Sequence, residues 1–257
     1  MNLFFREFGE GEPLIILHGF LGSSDNWVTL GKIYAEHFKV FIIDQRNHGQ
    51  SFHSDDFDYH HLTSDLSDFI VEKSLTNVSL IGHSMGGKVV MKYALENPDQ
   101  INKLIVADMA PKSYPVDYNL IFSALNAIDI ENLKSRGEAE RILSSHIADF
   151  GMRQFLLKNL TRNGDGYKWK ANFKVLEANI EKIGDWSTRS QAFEGPTLFI
   201  NGKQSDYVRD IDEPTILSHF PAVSRVTIDA GHWLHAEKPN EFMEASLNFL
   251  KKPIRAC

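Results

Sequence analysis

The chain has 257 residues, 27 basic against 34 acidic side chains for a formal charge of -7, 42% hydrophobic residues and a single cysteine. A chain of this size buries about three quarters of its unfolded surface, so one α/β domain can form its core without disulfides or structural metal. No basic run exceeds two residues, and the acidic balance excludes a nucleic-acid binder, whose phosphate contacts need clustered Lys and Arg.

The N-terminal stretch Met1 to Pro13 has no basic start followed by an apolar run and a small-residue cleavage site. Charges interrupt every apolar run along the chain before 18 residues, so no membrane span is expected. Cys257 stands alone, which excludes an intrachain disulfide or a multi-cysteine metal site and fits a cytoplasmic location.

Segments 2–8 and 14–18 flank Gly-Glu-Gly-Glu-Pro and are predicted to pair as a hairpin. Almost wholly apolar strands follow at 39–44, 78–83 and 103–108, as expected where both faces of a sheet are covered. Between them the spacing predicts helices near 26–37, 62–74 and 85–96, the last ending at Asn97-Pro98. From about 112 to 190 the strand rhythm gives way to helical spacing at 119–129, 137–149, 151–161 and 170–183, with Asn163-Gly164-Asp165-Gly166 as a turn. Strands resume at 197–201 and 224–229, and a last amphipathic helix covers 240–250. The expected organisation is an α/β core, residues 1–111 and 191–257, interrupted by a helical cap, residues 112–190.

Gly82-His83-Ser84-Met85-Gly86 is a G-x-S-x-G placed directly after an apolar strand and before a helix, the context of a nucleophile elbow. A serine hydroxyl needs a base to remove its proton, and His232, past the last strand in Asp229-Ala230-Gly231-His232-Trp233, falls at the same sheet edge. Two carboxylates compete to orient that imidazole. Asp108 ends the strand at 103–108, while Asp206 follows the strand at 197–201, and either gives the order Ser, Asp, His. Backbone donors for an oxyanion are expected from the N–H of Met85 and, in His18-Gly19-Phe20-Leu21-Gly22, from that of Phe20. The carboxylates and imidazoles of residues 54–61 match no metal-binding spacing and precede a helix, where acidic residues suit the dipole. Of the aromatics in the insertion, Phe122, Phe150, Phe155, Trp169 and Phe173 are expected mostly to pack, with some roofing Ser84.

Taken together, HGFLGSSDNW, DQRNHGQS, GHSMGG, VADMAP and AGHWLHAEKP, in that order, resemble the α/β-hydrolase superfamily over essentially the whole chain. The likeness is greatest to small bacterial esterases and acyl-CoA thioesterases related to mitochondrial abhydrolase-domain proteins. The loop Asp44 to Ser51 discriminates, since many relatives have a proline-glycine version of it. The resemblance implies an α/β-hydrolase fold, a mostly parallel eight-stranded sheet flanked by helices with an inserted helical cap. It implies Ser84 as nucleophile, His232 as base, Phe20 and Met85 as oxyanion donors, and Asp44 and Arg46 as residues that shape their loop. In the wider superfamily the acid stands three residues after the glycine that follows strand seven, where this chain has Ser205, with Asp206 one place late. In the resembling esterases it sits in a motif like Ala107-Asp108-Met109-Ala110-Pro111, which implies Asp108 and leaves Asp206 as the alternative.

The function so implied is hydrolysis of a small-molecule carboxylic ester or acyl thioester through an acyl-enzyme, with no metal or organic cofactor. A neutral base predicts activity falling below about pH 6.5, the ordinary histidine value. The alternatives are a carbon–carbon hydrolase or lyase of the menaquinone-pathway type, against which the Asn47-His48 loop form argues, and a ligand-binding hydrolase relative. Acyl length, head group and oligomeric state are not encoded in any motif.

Overall fold

In the computed structural model, which describes residues 2–187 and 191–253, the apolar segments become strands within two residues of their sequence-derived bounds, except that the first begins at Phe5, three residues late. The chain runs β1 (Phe5–Phe8), β2 (Pro13–Leu17), α1 (Val28–Tyr34), β3 (Lys39–Ile43), α2 (Tyr59–Glu72), β4 (Val78–His83), α3 (Met85–Glu96) and β5 (Ile101–Ala107). Then come α4 (Asn119–Asn126), α5 (Arg136–Ser144), α6 (Phe150–Leu157), β6 (Leu160–Asn163), β7 (Gly166–Trp169), α7 (Phe173–Ala178) and α8 (Ile180–Gly184). The sheet resumes with β8 (Thr197–Gly202), α9 (Glu213–His219), β9 (Val223–Ile228), α10 (Leu234–Glu237) and α11 (Pro239–Leu250). Residue 190, where the insertion was expected to end, and Cys257 lie outside the described residues.

Among the described residues the main sheet has seven strands rather than the eight expected, in the order β1-β3-β2-β4-β5-β8-β9, all parallel except the β1–β3 pair. The expected hairpin of β1 with β2 does not form. Instead β3 lies between them, pairing Phe5 with Ile43 on one side and Leu14 with Val40 on the other. The short link 9–12 reaches across the start of β3, where the Glu12 carbonyl accepts from Lys39 N–H at 2.9 Å. Gly9, at φ +71°, permits this crossing, because a Cβ there would lie 2.4 Å from the carbonyl oxygens of Ala35 and Phe38.

Every residue of β4, β5 and β8 is buried, and alternate side chains feed two cores. Ile15, Leu17, Leu80, Leu104 and Val106 face the side covered by α2 and α3, whereas Leu14, Ile16, Ile81, Ile105 and Ile200 face Trp27, Leu30 and Phe242. Helix α2 starts where Asp58 accepts from His61 N–H at 2.9 Å, and it buries Leu62, Leu66, Phe69 and Ile70 on one stripe. That N-cap accounts for part of the acidic and imidazole run at 54–61. The segment expected to be wholly helical contains the two-stranded hairpin β6–β7, turned at Asn163–Gly166. Helices α9 and α10 had no counterpart among the sequence-derived helices.

Candidate active site

The carboxyl ends of the parallel strands meet at Ser84. Leaving β4, the chain reverses into α3 with Ser84 at φ 53°, ψ -117°, a conformation that costs a non-glycine residue about 1–3 kcal/mol. A Cβ on Gly82 would lie 2.2 Å from the Gly86 carbonyl oxygen, and one on Gly86 would lie 2.6 Å from the His18 carbonyl oxygen. Only glycines close that turn, which is the physical content of the G-x-S-x-G spacing. The Ser84 N–H is tied to the Ala107 carbonyl at 3.1 Å, so the elbow is pinned to the end of β5.

Asp108 follows directly, also at positive φ (49°), and its carboxylate is turned into the protein with no side-chain exposure. Its Oδ1 accepts from Gly202 N–H at 3.0 Å, and its Oδ2 accepts from Ser205 Oγ at 2.5 Å and meets His232 Nδ1 at 2.7 Å. His232 Nε2 in turn lies 3.0 Å from Ser84 Oγ. With Nδ1–H donated to the carboxylate, Nε2 presents its lone pair to the serine hydroxyl, the orientation a general base requires. Asp206 is exposed at the cavity rim, and among the described residues only Asp108 brings a carboxylate to His232. Ser205, at the position where the wider superfamily carries its acid, gives its hydroxyl to Asp108 instead.

Two contacts on His232 had no signal in the sequence. The Tyr207 ring stacks on the imidazole with centroids 3.9 Å apart and planes 17° apart. His83 Nε2 donates to the His232 carbonyl at 2.9 Å, bracing its backbone. These partners lie 25 and 149 residues from His232 in sequence, where no local spacing could connect them.

On the other side of Ser84, residues 18–22 form the loop after β2. His18 Nδ1–H donates to Gly19 O at 2.8 Å while its Nε2 accepts from Gln45 N–H at 3.1 Å. His48 repeats the pattern: Nδ1–H donates to Arg46 O at 2.9 Å and Nε2 accepts from Leu21 N–H at 3.1 Å. Both rings are thereby held neutral, and burial pulls His18 down to about 4 and His48 to about 3, the latter helped by His18. Burial likewise lowers His83 far below its ordinary value and His235 to about 3. Asp44 receives Ser24 N–H at 2.5 Å and Gln50 N–H at 2.8 Å, and Arg46 grips both oxygens of Asp65 at 2.6 and 2.7 Å. These bonds shape the loop 44–51 that presents His48. Among the described residues, the N–H groups of Phe20 and Met85 have no acceptor within the chain.

Above the serine opens a cavity of about 1020 Å³, lined by Phe20 and Met109 from the sheet side and by Tyr118, Ile121, Met152 and Phe155 from the insertion. Of the aromatics marked in the insertion, Phe155 reaches the cavity and packs near Trp233, and Phe122 packs on Phe20. Trp169 and Phe173 pack on each other, and Phe150 is exposed. Among the described residues no cluster of three or more His, Cys, Asp or Glu is placed to hold a metal ion, and no helix is long and apolar enough to cross a membrane.

Comparison with known proteins gives a consistent picture. Residues 12–129 match the family model described as the alpha/beta hydrolase fold. The chain is 35% identical over 246 residues to the sn-1-specific diacylglycerol lipase ABHD11 of Mus musculus, covering 92% of this chain and 80% of that one. It is 35% identical over 240 residues to Esterase YbfF of Escherichia coli, covering 93% and 92%. Among solved structures, a marine microorganism esterase superposes with a TM-score of 0.94 at 45% identity, covering 96% of this chain and 98% of that one.

Proposed function

The chain belongs to the α/β-hydrolase family, related to abhydrolase-domain proteins, and on that premise we propose that it hydrolyses carboxylic esters through an acyl-enzyme on Ser84. The observation that carries this reading is the unbroken line from Ser84 Oγ to His232 Nε2, 3.0 Å, and from His232 Nδ1 to Asp108 Oδ2, 2.7 Å. Relatives named as an esterase and a diacylglycerol lipase favour ester hydrolysis, and acyl thioesters extend the same chemistry.

In this reading, Ser84 Oγ attacks the substrate carbonyl carbon while its proton passes to His232 Nε2. Asp108 holds the imidazole in the required tautomer and stabilises the imidazolium that forms. The oxyanion is received by the N–H groups of Met85, at the start of α3, and Phe20, both without an acceptor among the described residues. The strained elbow aims the serine at the substrate, and the helix N-terminus behind it favours the developing negative charge. His232 then returns its proton to the departing alkoxide or thiolate. Water, deprotonated by the same imidazole, attacks the acyl-enzyme and releases the acid. Residues 112–190 serve as the cap over a core formed by 1–111 and 191–257, and the cavity beneath them receives the acyl part.

The test is a panel of p-nitrophenyl esters and acyl-CoA thioesters of graded chain length, with a fluorophosphonate probe alongside. Turnover of at least one ester and probe labelling that disappears in Ser84→Ala are expected. No turnover of any ester or thioester would sink the reading, and cleavage of a carbon–carbon substrate in their place would move the chain to the lyase-type alternative.

A further inference from the structure

Lys88, in the first turns of α3, is fully buried, an arrangement that is costly for an ammonium unless its donors are used. Here they are. Nζ donates to three successive carbonyls, of Gly184 at 2.7 Å, Asp185 at 2.9 Å and Ile183 at 3.3 Å, and lies 4.9 Å from the ring centroid of Tyr114 and 5.4 Å from that of Tyr59. One turn further along α3, Lys92 donates to the Ser187 carbonyl and stands 5.9 Å from the Trp186 ring. Two cations of the helix that begins at the elbow therefore grip residues 183–187, at the far end of the insertion.

The grip continues towards the base. The Gly184 carbonyl also accepts from Tyr114 N–H at 2.9 Å. The Tyr114 hydroxyl accepts from Ala110 N–H at 2.8 Å, two residues beyond Asp108, and donates to the Tyr207 carbonyl at 2.5 Å. Tyr207 is the residue whose ring stacks on His232. We propose that Lys88 is a positioning residue for acyl transfer, its ammonium clamping residues 183–185 and Tyr114 so that Tyr207 stays against His232 and the Asp108 loop stays in register. This rests on the reading of Ser84 and His232 as nucleophile and base.

The charge is essential to the clamp. A neutral amine has two N–H donors for three carbonyls and loses its attraction to the ring faces. Burial pulls Lys88 down to about 7; Asp185 on the clamped segment favours the charged form and Lys92 opposes it. Tyr59 of α2 and Tyr114 face it as neutral hydroxyls, since burial raises both. The clamp is thus closed at lower pH and released as pH rises through the lysine's titration.

The test follows the rate of Ser84 phosphonylation and the turnover of a hydrolysed ester from pH 5.5 to 9.5 in the full chain. The wild type is expected to show an alkaline decline of about fivefold or more, and Lys88→Arg, whose charge is permanent, to hold its rate. Tyr114→Phe cuts the relay and leaves the lysine, so kcat should fall by about fivefold with little change in KM, and the alkaline decline should vanish. Lys88→Arg with a profile superimposed on the wild type overturns the proposal. If the larger guanidinium prevents folding, Tyr114→Phe decides alone: the wild-type rate or the wild-type alkaline limb in that variant overturns it. Labelling that survives Ser84→Ala would instead break the serine reading on which the proposal rests.

Discussion

The two flanks of Ser84 use imidazoles in opposite ways. On the flank made by β5, β8 and β9, His232 sits on a loop with a carboxylate on one ring nitrogen and the serine on the other. On the flank made by β2 and β3, His18 and His48 are buried, and each joins a carbonyl on one nitrogen to an N–H on the other. The same side chain is placed to carry a proton in the first setting, the role proposed for it, and is a neutral strut in the second. The difference comes from the partner: a carboxylate stabilises the imidazolium, while an N–H donated to Nε2 requires that nitrogen to stay unprotonated.

Removing the carboxylate should have the largest effect. Asp108→Asn is expected to lower the acylation rate by about 10⁴, the scale of losing a triad aspartate, measured as phosphonylation of Ser84. A small loss there would reduce His232 to the status of His18 and His48.

Next comes acid stability, to which the neutral flank contributes alongside the buried His83 and His235. An imidazole whose folded pKa is lowered is protonated first in the unfolded chain, so its stability is full above about pH 6.5 and is lost as pH falls toward the folded value. For His18, at about 4, the loss reaches about 3 kcal/mol by pH 4. His48, at about 3, adds to the same downward slope. Urea unfolding at pH 7, 5.5 and 4 measures it, and His18→Gln should flatten the curve. An unchanged slope in that variant would mean that His18 accepts a proton in the folded state.

Ser205→Ala removes one of the two donors that hold the Asp108 carboxylate besides His232, and kcat is expected to fall by about tenfold, the worth of a hydrogen bond to a charged group. The smallest effect belongs to Asp206→Asn, because this carboxylate is exposed and has no contact with His232. Its kcat should be indistinguishable from that of the wild type. A fall of several orders of magnitude would transfer the orienting role from the end of β5 to the loop after β8.

The comparison also locates the limit of the sequence. Ser84, His232 and the pair Asp108 and Asp206 were legible because strand, turn and helix signals are local, and because catalytic groups of open α/β sheets collect at the carboxyl ends of strands. The strands were legible for the same reason, down to the breaks at their ends. Pairing at a distance, by contrast, leaves no local signal. The segments flanking Gly-Glu-Gly-Glu-Pro look like a hairpin, yet β3, more than 20 residues later, intervenes between them. The hairpin β6–β7 is short and half exposed, with too few apolar residues for its alternation to stand out.

The sequence by itself therefore determined the fold class, the elbow and the short roster of groups able to move a proton, since each depends on residues within a few positions of one another. Tertiary structure decided which aspartate meets His232, that Ser205 serves Asp108, that Tyr207 covers the base and that Lys88 grips the end of the insertion. Those contacts join residues 25 to 124 positions apart. A hydrogen bond or a stacked ring depends on distance in space, and only the folded sheet, bringing the carboxyl ends of six parallel strands to one edge, makes those distances short.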